Sequence, residues 1–373
     1  MIPMVELSLA RPLTGGERIP QEGEALVLTE HRPLDDYLNE PLSKLVAPVE
    51  LSVPPGQQER HRFYLLLVMA LVHYYRNGNK RGRVGTYPLN ENKHPENWPE
   101  EPDRKSGRLL GGDYLGHNIA AIAVDGDGHV IDFDFNHNTV LNSSVEHAES
   151  RLVRRVYSLA QIHDTWNVAP GAKSHSWPKD DYTTLANVTV YTSLEPCSQC
   201  AGIMALGRVR EVVYLQTDPG MYSIGNILRR LTAGTKLEAP VPISADKVGL
   251  RYFDQLNGAF DEFKRNIRTG DPFFKPKPPP PPKDSPPPPE DRSDSITSFL
   301  CTAATQNIFG QGTSEFENLI RGRAPSEHPE FQPVDRRGQQ LPNALKNSDV
   351  IEEIGGFYQY ATEGGRRGTP HQL

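Results

Sequence analysis

Ser193-Leu194-Glu195-Pro196-Cys197-Ser198-Gln199-Cys200-Ala201-Gly202 is the stretch on which the reading of this chain turns. It follows a short β-branched run at 188–192, and small and apolar residues continue from it to Leu206. The pattern predicts a strand leading into a helix that opens at about Cys197. Two thiols three residues apart then sit at the mouth of that helix. The chain has 3 cysteines in all, and the third, Cys301, lies about a hundred residues further on. A disulfide scaffold is excluded, and Cys197 and Cys200 read as ligands or catalysts.

Working outward, the nearest partner for such a pair is His147-Ala148-Glu149. One imidazole and two thiolates make three zinc ligands and leave a fourth tetrahedral position for water. An open position is what a hydrolytic metal needs, because zinc lowers the pKa of bound water to about 7. Glu149 stands two residues after His147 on one predicted helix, beside the metal without ligating it, where a carboxylate can relay protons. Ser143 with Glu146 fits a capping box, which places His147 in the first turn of that helix. Two helix N-termini would then converge on the metal, their dipoles favouring thiolate and hydroxide.

The surrounding pattern is that of a layered α/β domain. A helix is expected over 57–75, with apolar residues on more than one face. Runs at 119–124 and 130–135 flank Asp125-Gly126-Asp127-Gly128, a strong hairpin signal. Helices are predicted over 144–160, 223–231 and 249–268, and a further strand over 211–216. Two polar, turn-rich stretches, 77–113 and 164–182, read as insertions.

The chain has 373 residues, 36% of them hydrophobic, and its 34 prolines are in excess for a packed domain. Eleven fall at Pro272, Pro276, Pro278–Pro282 and Pro286–Pro289. Such a run favours polyproline II and reads as a semi-rigid spacer, an SH3-type ligand being the sharper alternative. It divides the chain into an extension, 1–56, a core domain, 57–270, a proline-rich linker, 271–290, and a tail, 291–373, of unknown role. The tail has polar stretches and only short apolar clusters, at 296–300 and 350–360. Lys+Arg 40 against Asp+Glu 47 gives a net charge of −7, which argues against a surface coated in basic charge for nucleic acid. Local clusters temper this: Lys80, Arg81 and Arg83, and separately Arg151, Arg154 and Arg155, are candidates for a basic rim. The longest apolar run, 63–72, is far short of the roughly 20 residues of a membrane span. The first ten residues carry Glu6 and no lysine or arginine, so no leader is expected and the anticipated compartment is cytoplasmic, with no membrane partner.

Residues 57–268 resemble the cytidine deaminase superfamily, and within it the tRNA-adenosine-deaminase-like branch. The likeness is densest over the quoted stretch and continues through Arg208-Val209-Arg210-Glu211-Val212-Val213-Tyr214. H-x-E followed by P-C-x-x-C is the signature of zinc nucleobase deaminases. The resemblance implies a three-layer α-β-α fold, a central mixed five-stranded sheet, and one zinc per chain held between two helix N-termini. It assigns the zinc to His147, Cys197 and Cys200 and proton transfer to Glu149. It implies base contacts from Asn136 and the backbone of Ala148, with Asn142 competing for the role of Asn136, and a place near the substrate ribose for Asp218. In the branch a crossover helix leads to a parallel fifth strand; 223–231 followed by 237–243 fits, although Pro240 and Pro242 weaken that strand. The sequence departs from the family at Asn118-Ile119-Ala120-Ala121, where valine-proline-valine-glycine is usual, and in its insertions.

The function so implied is hydrolytic removal of an amino group from adenine or cytosine, in a nucleoside, nucleotide or RNA, by zinc-bound hydroxide with Glu149 as proton shuttle. A homodimer is one assembly open to it. Two alternatives stand beside this reading: a single-stranded-DNA cytosine deaminase in defence or as a toxin, and a non-catalytic deaminase-like partner subunit that binds nucleic acid.

Overall fold

The computed structural model describes residues 36–37, 40–49, 51–75, 116–138, 141, 143–162, 185–235, 238–269, 295–322, 328–334 and 338–364. The expected insertions at 77–113 and 164–182, the proline run at 271–290, Asn142, and Lys80, Arg81 and Arg83 lie outside them.

The hairpin forms where the Asp-Gly repeat predicts it. β1 (Ala120–Val124) and β2 (Val130–Phe135) pair antiparallel. Asp125 closes the turn, its carboxylate accepting the N–H groups of Gly128 and His129, each at 2.8 Å. Gly128 takes φ +103°, open to glycine at little cost. β3 (Thr189–Thr192) joins the other side of β1 antiparallel, and β4 (Glu211–Tyr214) and β5 (Val241–Ser244) follow in parallel. The order is β2-β1-β3-β4-β5. β5 forms despite its prolines because it is the edge strand. The N–H of Val241 bonds to Arg210 O of the preceding segment, so Pro242, one residue on, turns its nitrogen away from the ladder.

Successive strand residues face opposite sides of a sheet, and this sorts the helices. Tyr191 meets His61 and Tyr64 of α2 (Pro55–Tyr75), after the short α1 (Leu42–Val46). Thr192, the next residue, meets Glu149 of α3 (Ala148–Ile162) on the other face. In β2, Phe133 packs on Tyr75, while Asp132 and Asp134 turn to Arg155 and Arg151 of α3. On the α3 side lie α4 (Ser198–Leu206) and α5 (Ile224–Thr232), the crossover between β4 and β5. The result is a three-layer α/β architecture with a mixed five-stranded sheet.

α2 is apolar on every side because it is covered on every side. Thirteen of its residues, from Gly56 to Val72, are buried. One face rests on β1 and β3; α8 (Ala303–Ile320) and α9 (Asn347–Gln359) cover the other. α6 (Tyr252–Thr269) and α7 (Ile296–Phe299) complete that side. The apolar clusters of the 291–373 segment are thus buried faces: Phe299, Leu300, Val350, Ile354 and Phe357 share one core with α2. Among the described residues, no helix is long and apolar enough to cross a membrane.

Candidate active site

The start of α3 differs from the expected capping box. Its first intrahelical bond runs from Arg151 N to His147 O at 3.0 Å, which makes His147 the N-cap rather than a first-turn residue. The capping oxygen comes from another element: Asn136 Oδ1, just past β2, accepts the N–H of Ala148 at 2.7 Å. Ser143 instead makes a local turn to Val145, and Glu146 pairs with Arg151 and Arg154. α4 is built alike, with Cys197 as N-cap in extended conformation and Cys200 in the first turn.

The two helix starts bring the predicted ligands together. Cys197 Sγ lies 3.3 Å from His147 Nδ1 and 3.5 Å from Cys200 Sγ, and Cys200 Sγ lies 3.7 Å from His147 Nδ1. Zinc bonds of about 2.3 Å to sulfur and about 2.0–2.1 Å to nitrogen, arranged tetrahedrally, space sulfurs at roughly 3.8 Å and sulfur and nitrogen at roughly 3.6 Å. The observed triangle is within a few tenths of an ångström of one face of that tetrahedron, so the donor set fits zinc. The hydrogen bond with Cys200 lowers the Cys197 thiol to about 4, against burial and with help from His147. That same bond, together with burial and the Glu149 charge, pushes Cys200 far up. Both thiols can ionise together only if a cation neutralises them. Among the described residues these three form the one cluster suited to a metal ion. Cys301 is buried elsewhere, its thiol donating to Thr297 O.

Glu149 is buried and flanks the triad, Oε2 lying 3.4 Å from Cys200 Sγ. Thr192 Oγ1 donates to Oε1 at 3.0 Å and fixes the carboxylate plane. Burial raises its pKa, the Cys197 charge adds to that, and His147 opposes it. A carboxyl in that state can hold a proton and release it. Thr192 was not among the residues read from sequence. Its position at the end of β3, directly before the Ser193–Gly202 stretch, is the signal that could have found it.

The other expected residues divide. Asn136 is buried, and with Oδ1 spent on Ala148 its Nδ2 has no hydrogen-bond partner among the described residues. Asn136 is also one of the residues lining a pocket with Val72, Tyr75, His117, Asn118 and Phe135. The N–H of Ala148 is committed to Asn136. Asp218 caps a short turn at Pro219–Met221 by accepting Gly220 N at 2.9 Å, and its own N–H donates to Glu195. Arg151 and Arg155 are spent on buried carboxylates, leaving Arg154 as the exposed member of that basic cluster.

Residues 108–216 match the cytidine and deoxycytidylate deaminase zinc-binding region. No curated protein matches the chain. Among solved structures, one from a study of A-to-I editing by tRNA:A34 deaminases at the wobble position is 25% identical, with a TM-score of 0.25; the match covers 34% of this chain and 82% of that one. A guanine deaminase from Nitrosomonas europaea is 18% identical, covering 36% and 72%, with a TM-score of 0.25. A guanine deaminase from Bacillus subtilis is 23% identical, with a TM-score of 0.22, covering 30% of this chain and only 57% of that protein's length.

Proposed function

We propose that this chain, whose residues 108–216 match the cytidine and deoxycytidylate deaminase zinc-binding region, is a zinc-dependent hydrolase that replaces the amino group of a nucleobase with a carbonyl oxygen. The observation that carries this is the His147, Cys197 and Cys200 triangle with the buried Glu149 against it. When bound, zinc would supply a water acidified enough to act as nucleophile near neutral pH. Glu149 takes the proton that this water gives up and passes it to the base, so that water and the amino compound leave as a carbonyl and ammonia. Thr192 holds the carboxylate in place for both transfers. Asn136 offers its free Nδ2 to an acceptor on the ring, while its Oδ1 keeps the start of α3 fixed. Ala148 would serve through that fixed backbone, and Asp218, held between Gly220 and Glu195, takes the place near the substrate ribose that the family resemblance implies.

Adenine or cytosine, in a nucleoside, nucleotide or RNA, is the substrate class. The parallel crossover through α5 to β5 is a feature of the adenosine-acting branch that the sequence resembles, and it favours adenine in RNA. The test is to incubate the purified chain with nucleosides, nucleotides, tRNA and single-stranded DNA, reading ammonia release and base conversion by mass. About one zinc per chain and conversion of one of these is expected. Glu149→Ala should keep the zinc and lose at least about 100-fold in turnover, the lower end of what general acid–base catalysis contributes. Turnover that survives this change sinks the mechanism. A chain that binds single-stranded nucleic acid and zinc but converts nothing would be the non-catalytic partner.

A further inference from the structure

Between the sheet and α3 lies a network of charge that the proposed reaction does not use. β2 turns Asp132 and Asp134 inward, both buried, and α3 answers with Arg151 and Arg155. Buried ion pairs are often no more stabilising than apolar residues of the same volume. What the network does supply is direction, and its connections lead to the site.

Arg151 is the branch point. Its Nε lies 3.2 Å from Asp134 Oδ1 and its Nη1 2.8 Å from Glu146 Oε2. Asp134 stands two residues before Asn136, and Glu146 immediately before His147. One planar guanidinium therefore ties the end of β2 to the start of α3, with site residues just beyond each anchor. Two further links run parallel to it: His137 N to Glu146 O at 2.8 Å, and Ala148 N to Asn136 Oδ1 at 2.7 Å. Arg155 also reaches Asp132 and Asp134, but it makes no contact with Glu146. Only a rigid fork can serve both carboxylates at once; a lysine ammonium in its place is a point charge that satisfies one or the other.

We propose that Arg151 is a positioning residue for the metal centre: by bridging Asp134 and Glu146 it sets the His147 ring against Cys197 and Cys200 and holds Asn136 in register with it. This rests on reading the triad as a zinc site. The device acts through the backbone on either side of His147. It should therefore govern how tightly and with what geometry the metal is held, beyond any effect on folding.

The experiment compares Arg151→Lys, Glu146→Gln and Arg155→Lys with the unaltered full-length chain. Zinc affinity is read by chelator competition, and ligand geometry by the absorption spectrum of the cobalt(II)-loaded protein. Thermal midpoints of the metal-free proteins control for folding. Glu146→Gln keeps Arg151 on Asp134, so no buried charge is stranded. Loss of partners that orient a metal ligand typically costs about 10–100-fold in affinity. Arg151→Lys and Glu146→Gln should fall in that range and shift the cobalt bands, whereas Arg155→Lys lowers the midpoint and leaves both metal readouts alone. The inference is overturned if the first two variants bind zinc as the parent does with the same cobalt spectrum, or if Arg155→Lys weakens zinc equally. A parent chain that takes up no zinc overturns the metal-site reading itself, and this inference with it.

Discussion

Thr192 and Asn136 show how much of the site depends on single side chains that spacing does not expose. The ligand residues are legible because a thiol pair at i and i+3 and a histidine two residues before a glutamate have few other uses together at helix starts. Thr192 is not, since nothing in a run of β-branched residues tells which one faces a carboxylate on α3. Its hydroxyl donates the hydrogen bond that orients Glu149 at 3.0 Å. Thr192→Val keeps the shape and removes that donor. A hydrogen bond to a charged group contributes roughly 1.5–3 kcal/mol, so turnover should drop about tenfold or more while zinc content is unchanged. Steady-state rates beside metal analysis decide it; loss of zinc together with activity would make Thr192 part of the fold rather than of the chemistry. The capping box at Ser143 and Glu146 is the opposite lesson. The residue types fit the local rule, but the Ser143 N–H bonds to the Asn138 carbonyl and a pair of arginines holds the Glu146 carboxylate.

At the scale of elements, α2 explains both a correct expectation and an acid sensitivity. Apolar residues on more than one face meant burial, and the helix is enclosed by strands on one side and by α8 and α9 on the other. It nevertheless carries His61, buried against the Tyr191 hydroxyl at 2.9 Å. Burial lowers the His61 pKa to about 4; Glu211 works against this, and Arg60 and Arg210 add to it. The unfolded chain takes up a proton at about 6.5, the folded one only near 4. Between those values the unfolded state binds more protons, so stability falls as the pH drops from about 6.5 towards 4. The full shift corresponds to roughly 3 kcal/mol. Asp125, Asp132 and Glu195, pushed up by burial to about 6, 7 and 7, act in the opposite sense over the same range, so the His61 contribution is read as a difference. In urea unfolding, His61→Gln should gain stability relative to the parent chain as the pH falls from about 7 to about 4.5. An equal pH dependence in both would place the acid sensitivity elsewhere. β5 belongs to the same scale: its prolines argued against a strand, yet the parallel pairing to β4 needs only the alternate N–H groups that proline leaves in place.

For the molecule as a whole, the proline run divides the sequence where the packing does not divide. Composition separates a polar tail from an apolar core because it averages over residues. The tail's few apolar clusters are the ones that α2 needs. Phe299, Phe309, Phe316, Val350 and Phe357 are all fully buried. Polar contacts add to this: Arg60 donates to Asn347 and to the Leu345 carbonyl, and Tyr64, one turn further along the same face of the helix, donates to Gly128 O. Gly56 opens α2 so close to the Glu330 backbone that a methyl group there would overlap it. Each large apolar side chain left exposed forfeits roughly 1.5–3 kcal/mol, against a net stability of about 5–15 kcal/mol for a domain. A chain ended at residue 283 should therefore be insoluble or unfolded by circular dichroism, despite retaining every proposed catalytic residue. Co-expressed with 284–373 as a separate chain, it should be recovered as a folded pair with zinc bound, because the proline run supplies a connection while the buried face supplies the association. Gly56→Ala in either format should weaken the assembly and lower its melting temperature. A 1–283 fragment that folds and binds zinc alone would make the C-terminal helices an appendage and return the boundary to where composition put it.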